Sequence, residues 1–159
     1  MTMLEHDDAE LCGIIARFDE MAGDKPHFHK ILNPQFQSPD WDHSRAVFDM
    51  KDDFVGNVKY RTVHGGIIAS MLDLTGGQAV LLSVFKKVKG QPMEKQFKTF
   101  VNIGSIDLRI DFLRPGKGTR FIADAWILRI GNKVAVTRME LRNEEDTLIA
   151  VGTGTYTVG

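Results

Sequence analysis

Residues 62–85, TVHGGIIASMLDLTGGQAVLLSVF, decide how the rest of the chain must fold. Asp73 is the only Asp, Glu, Lys or Arg among them. Ile67, Ile68, Met71, Leu72, Leu74, Val80, Leu81, Leu82 and Phe85 fall on every side of a helical projection, with Gly, Ala and Ser between them. A helix that is apolar all round is a buried one. A bilayer span is not expected, because the longest unbroken apolar stretch, Ile67 to Leu72, is six residues with a serine inside it. Spanning needs ~20 predominantly apolar residues. Gly76-Gly77 should weaken or bend the helix at its middle. Such a helix requires something wrapped around it.

The C-terminal third supplies the wrapper. From Ser105 to Phe112 every even position is apolar and every odd one polar, the period of a half-buried strand. Pro115-Gly116-Lys117-Gly118 is a tight connection, and Arg120 to Ile130 is a second strand. Gly131-Asn132 forms a two-residue turn, Lys133 to Arg142 a third strand and Thr147 to Val158 a fourth. Connections this short join antiparallel neighbours and leave no room for crossover helices. One helix against a meander is an α+β architecture.

Upstream, Leu11, Ile14, Ile15, Phe18 and Met21 recur at helical spacing, with Asp7 or Asp8 as cap and Gly23 as stop. Pro26, Pro34 and Pro39 make residues 26–43 irregular, with at most a short edge strand. Arg45 to Lys51 alternates weakly and is expected to be a strand, with turns at Asp52-Asp53 and Gly56-Asn57. The Lys86–Thr99 segment is ambiguous between a solvated rim and a lid, with a short helix possible over Met93–Phe100.

Composition narrows the function classes. A chain of 159 residues with no internal repeat or linker is expected to be one domain, 1–159. Its net charge of −1 offers no bulk positive field for nucleic acid. The single cysteine, Cys12, cannot form an internal disulfide. The acidic start MTMLEHDD is not a signal peptide, so a soluble cytoplasmic protein is expected. His27 and His29 lack partners at ligand spacing and are expected to be solvated loop residues, so no metal is predicted.

Chemistry concentrates where the buried helix begins. Val63-His64-Gly65-Gly66-Ile67 places two glycines at the N–H groups that have no intrahelical partner and lie at the positive end of the helix dipole. A helix start that a ligand can approach closely is able to stabilise an anion or a developing oxyanion. Asp73 lies about two turns on, ~12 Å along the axis, too far to act on a carbonyl held by its own Gly65. Two such helices packed antiparallel about a two-fold axis would bring Asp73 of one chain toward Gly65 of the other. A carboxylate in so apolar a stretch is costly unless paired, hydrogen-bonded or functional, and burial favours its protonated form. Taken singly, a Gly-Gly is turn chemistry, a His a satisfied structural residue, and a buried Asp a partner for a backbone group. Their coincidence in the most apolar helix favours function.

His64-Gly65-Gly66, Asp73 nine residues after His64, Gly104-Ser105-Ile106-Asp107-Leu108, Phe112-Leu113-Arg114-Pro115-Gly116 and the final meander resemble the hotdog-fold acyl-CoA thioesterases, particularly the phenylacetyl-CoA-type branch. The resemblance covers roughly residues 28–158. It implies a long helix wrapped by a curved antiparallel sheet, active sites at the interface of a dimer, and dimers that commonly pair into homotetramers. It implies further that Asp73 activates water or attacks the thioester carbonyl, and that Gly65, with Gly66 beside it, donates to the carbonyl oxygen. His64 would support the loop and Ser105 would place the water. Asn57 would orient substrate or water, although the family's Asn commonly stands one residue closer to the His. Arg114, Lys117 and Arg120, with Lys133 and Arg138, are candidates for the coenzyme A phosphates, against the alternative of a solvated rim. No cofactor is expected. Two other readings are a hotdog enoyl-CoA hydratase or dehydratase and a non-catalytic acyl-CoA-binding protein.

Overall fold

The computed structural model describes residues 9–22 and 28–158. In chain order the elements are α1 (Ala9–Ala22), α2 (Phe28–Leu32), β1 (Gln35–Asp40), β2 (His43–Asp49), a 3-10 turn (Asp52–Phe54), β3 (Val55–Asn57) and β4 (Thr62–Val63). There follow α3 (Gly65–Val88), α4 (Met93–Phe100), β5 (Ser105–Phe112), β6 (Arg120–Ile130), β7 (Val134–Asn143) and β8 (Leu148–Thr157). Six strands form one antiparallel sheet in the order β1-β2-β6-β7-β8-β5, and β3 pairs with β4 apart from it. The sheet curves around α3, the α+β hotdog architecture that the resemblance implied.

The helix fits because the strands facing it carry small side chains. Ala46 on β2, Ala123 and Ala125 on β6, Ala135 on β7 and Ala150 on β8 are all fully buried. They let the helix backbone come close while Phe48, Phe121, Met139 and Leu141 fill the remaining volume. α3 runs unbroken through Gly76-Gly77, contrary to the expected weakening. Glycine at 76 has a packing role instead, since a Cβ there would overlap Tyr156 Oη and come within 2.8 Å of Met139 Sδ. On length and composition α3 is long and apolar enough to cross a membrane, although its unbroken apolar run is only six residues. Its apolar surface instead meets β2, β6, β7 and β8.

Sheet order departs from a simple succession of neighbours. β5 lies at the edge beside β8, and β2 rather than β5 pairs with β6. The β5–β6 connection passes the start of α3, where Val63 N donates to Gly116 O at 2.9 Å and Gly116 packs on Val63 and Ile68. The β6–β7 turn falls at 132–133, one residue late, closed by Gly131 N donating to Val134 O.

Residues 28–43 are more ordered than their prolines suggested. α2 drives Leu32 into the core, and β1 is the expected edge strand, its register broken between Gln37 and Asp40. His29 is thus an exposed helical residue rather than a loop one, whereas His27 lies outside the described residues. Asp7, Asp8 and Gly23, and the side chains of Ile14, Ile15, Phe18 and Met21, lie outside them too. α1 buries Leu11, lays Arg17 over the Phe97 ring of α4 at 4.5 Å, and uses Glu10 to accept from Gly90 N and Gln96 Nε2. The ambiguous Lys86–Thr99 segment is therefore the end of α3 followed by α4, with Phe100 buried.

Glu144 ties the β5–β6 connection to the β7–β8 turn. Its carboxylate accepts from Thr119 N and Oγ1 and from Arg120 N. The Thr119 N–H leads in holding its pKa down to about 2. A depressed carboxylate binds fewer protons folded than unfolded, so the stability it contributes is present above ~4.3 and is lost as pH falls toward 2. Solvent screening keeps the contribution small at this exposed site. Melting curves from pH 6 to pH 2 should accordingly flatten in Glu144→Gln relative to the parent, and parallel curves would refute the role.

Candidate active site

His64 is the N-cap of α3. Its Nδ1 accepts from Gly66 N at 2.9 Å, and its backbone N–H donates to Phe54 O. His64 O takes the N–H groups of Ile67 and Ile68. No hydrogen bond among the described residues uses the Gly65 N–H, which is the donor left open at the positive end of the helix. Phe112 lies against Gly65, with Cζ 3.3 Å from where a Cβ would stand.

Asp73 is half-buried on α3, and Ser105 Oγ donates to its Oδ1 at 2.7 Å. Alternation alone places Ser105 on the outer face of β5 with Asp107, Arg109 and Asp111. A bulge reverses this: Ser105 opposes Tyr156 and Asp107 opposes Thr155, so two residues face one and Ser105 turns inward. Asp73 makes no ion pair among the described residues. Asp124, by contrast, is 6% exposed and meets both Arg45, at 2.8 and 3.1 Å, and His43, at 2.7 Å. A carboxylate inside an apolar helix with a hydroxyl partner and no cation is poorly compensated for stability and open to reaction.

Tyr156 was not anticipated as part of the site. Its hydroxyl donates to the Asp73 carbonyl at 3.2 Å, and burial, followed by the Asp73 charge, pushes its phenol far above the usual value. The signal was present in the Gly76-Gly77 pair, since glycines inside a helix mark a close approach by something bulky.

The other candidates are dispersed. Asn57 Oδ1 accepts from Tyr60 N at 3.3 Å and closes the β3–β4 turn. Arg120 Nε donates to Asp49 Oδ1 at 2.8 Å, and Arg114 donates to Leu148 O. Lys117 Nζ lies 5.8 Å from the centre of the Tyr60 ring. Arg138 lines a shallow cavity of about 230 Å³ with Arg109, Asp111, Gly152 and Thr153 on the outer face of the sheet. Among the described residues no cluster of His, Cys, Asp or Glu could hold a metal ion.

A hotdog domain with an open helix-start donor and a helix carboxylate defines a class of thioester-processing proteins. Residues 60–150 match the thioesterase superfamily. The chain is 39% identical over 132 residues to the Escherichia coli (strain K12) medium/long-chain acyl-CoA thioesterase YigI, covering 83% of this chain and 85% of that one. The crystal structure of a Shewanella oneidensis protein related to the thioesterase superfamily matches 93% of this chain and 97% of its own, with TM-score 0.82 and 35% identity. Zebrafish thioesterase superfamily member 2 shares the fold, with TM-score 0.69 and 23% identity over 91% of this chain and 94% of its own. The chain belongs to the thioesterase superfamily.

Proposed function

We propose that this chain hydrolyses acyl-CoA thioesters at sites shared between two protomers of a cytoplasmic homo-oligomer. The observation that carries the reading is the layout of β5. Its two ends lie beside the two halves of the site: Ser105 touches Asp73, and Phe112 lies over Gly65. Ile106 and Phe112 on this edge strand are each 55% exposed. Pairing β5 antiparallel with a second copy of itself covers that apolar surface and satisfies the edge. It also sets Ser105 of one chain opposite Phe112 of the other, which brings Asp73 of one protomer beside Gly65 of its partner, whereas ~12 Å separates the two in one helix. Dimers then pair into tetramers.

At that site the Gly65 N–H donates to the thioester oxygen and stabilises the oxyanion that develops there. Asp73, oriented by Ser105, takes a proton from a water whose oxygen attacks the carbonyl carbon. The tetrahedral intermediate collapses, the C–S bond breaks, and the thiolate recovers the proton to leave as coenzyme A beside the free acid. In the variant route Asp73 itself attacks, and water then cleaves the resulting anhydride. His64 holds the Gly66 N–H and keeps the helix start in shape. The relatives' activity supports medium or long acyl chains.

A thiol-release assay across saturated acyl-CoAs of increasing length tests the reading, with an enoyl-CoA as control. Thiol release from the saturated substrates is expected. Saturable binding without release would establish a binding protein instead, and hydration of the enoyl-CoA alone would establish a hydratase. Single turnover in 18O-water tests the nucleophilic route, since label in Asp73 requires an anhydride that water opens at the aspartyl carbonyl, and trapping of an acyl-enzyme tests it where water opens the acyl side.

A further inference from the structure

We infer that the turn between β3 and β4 is the docking site for the nucleotide end of the substrate, the adenine ring stacking on Tyr60 and the phosphates meeting Lys59 and Lys117. This rests on the acyl-CoA reading above. Tyr60 is 56% exposed and Val58 83% exposed, so the turn holds an aromatic side chain out toward solvent. Two ammonium groups lie over the ring, Lys59 at 5.1 Å and Lys117 at 5.8 Å from its centre. Neither makes an ion pair among the described residues. Their neighbours are already committed: Arg120 to Asp49, Arg114 to a carbonyl, Lys51 to Ile31 O and the Phe54 ring. Lys59 and Lys117 make no ion pair or hydrogen bond among the described residues, so a phosphate can recruit them by displacing only their contact with the Tyr60 ring.

The turn is held in shape at a cost. Arg61 has φ +47°, a left-handed conformation uncommon for a residue with a side chain, and such strain persists only where the surroundings enforce it. Here Arg61 donates to Asp52 Oδ1 at 2.8 Å, while Asn57 accepts from Tyr60 N. The platform is also fastened to the oxyanion end of the helix. Val63, two residues before Gly65, donates to Gly116 O, and Lys117 is the next residue. Tyr60 precedes Gly65 by five residues, so chain geometry caps their separation at ~18 Å. The pantetheine arm between thioester and diphosphate has about a dozen bonds, roughly 14 Å when extended like four residues of chain. A thioester on Gly65 thus has Lys59 and Lys117 within the span of its diphosphate arm and Tyr60 within that of its base.

Coenzyme A binding by calorimetry, together with acyl-CoA kinetics, tests this in Tyr60→Leu, Lys117→Gln and Lys59→Gln/Lys117→Gln, with the exposed Arg129→Gln as the charge control. Coenzyme A should bind at least about ten-fold more weakly to Tyr60→Leu and to the double variant, and KM for acyl-CoA should rise by a similar factor. kcat should stay within about two-fold, and turnover of the matching acyl-pantetheine thioester, which lacks the nucleotide, should not change. Arg129→Gln should match the parent. Unaltered coenzyme A affinity in the double variant, or an equal loss on acyl-CoA and acyl-pantetheine, would overturn the assignment. Absence of thiol release from any acyl-CoA would instead sink the hydrolase reading, and the calorimetric comparison would still decide the nucleotide site.

Discussion

Replacing Asp73 by Asn is expected to lower kcat for thioester hydrolysis by about 10²–10⁴-fold, the range for removing a positioned acid–base group. The amide keeps the size of the carboxylate and still offers an oxygen to Ser105 Oγ, which now donates at 2.7 Å. What disappears is the proton acceptor, or the nucleophile, whichever route operates. Stability should move the other way. Asp73 is half-buried on the most apolar helix and makes no ion pair among the described residues, so a neutral side chain there relieves a desolvation cost. A melting temperature equal to or above the parent's, alongside near-complete loss of thiol release, is the expected pair of results. Turnover within ten-fold of the parent would remove Asp73 from the chemistry. A large fall in melting temperature would make it a structural residue.

The largest loss of stability is expected from Gly76→Ala. A methyl group there would overlap Tyr156 Oη and approach Met139 Sδ to 2.8 Å, and both residues are essentially inaccessible to solvent. Overpacking of this kind costs ~1–3 kcal/mol, against which the helical preference of Ala over Gly returns only ~0.5–1 kcal/mol. The neighbouring Gly77→Ala has the opposite sign. Its nearest atom, Tyr156 Cε1, is 3.9 Å away, an ordinary contact, so the propensity gain is realised in full. Thermal melts should show Gly76→Ala falling by several degrees and Gly77→Ala rising slightly, at ~2–4 °C per kcal/mol for a chain of this size. Adding Tyr156→Phe to Gly76→Ala should recover part of the loss by removing the overlapped oxygen. Equal effects at the two glycines would show that helix propensity alone governs them.

Much of this molecule was legible before any coordinates. The buried helix, the four C-terminal strands and their ends within a residue or two, and the N-terminal helix all follow from periodicity, because the facing of side chains along one element is a local property. The superfamily was legible as well, since His64-Gly65-Gly66 and Asp73 lie within a few turns of one helix. Residues 28–32 form a helix where closely spaced prolines predict irregular chain, because the burial of Leu32 in a core that the segment does not itself contain overrides the local signal.

Three features had no local signature and came from the way distant segments meet. The bulge that turns Ser105 toward Asp73 depends on how β5 registers on β8, fifty residues downstream in pairing with Tyr156. The need for glycine at position 76 comes from Tyr156 and Met139 across the sheet. Which cations around the helix start are held by an oxygen depends on Asp49 and Leu148, remote in the chain from Arg120 and Arg114. Side-chain type and spacing carry the chemistry a segment is capable of. Which groups are paired, aimed or left open is settled by long-range packing, because hydrogen bonds and steric contacts act through space and not along the backbone.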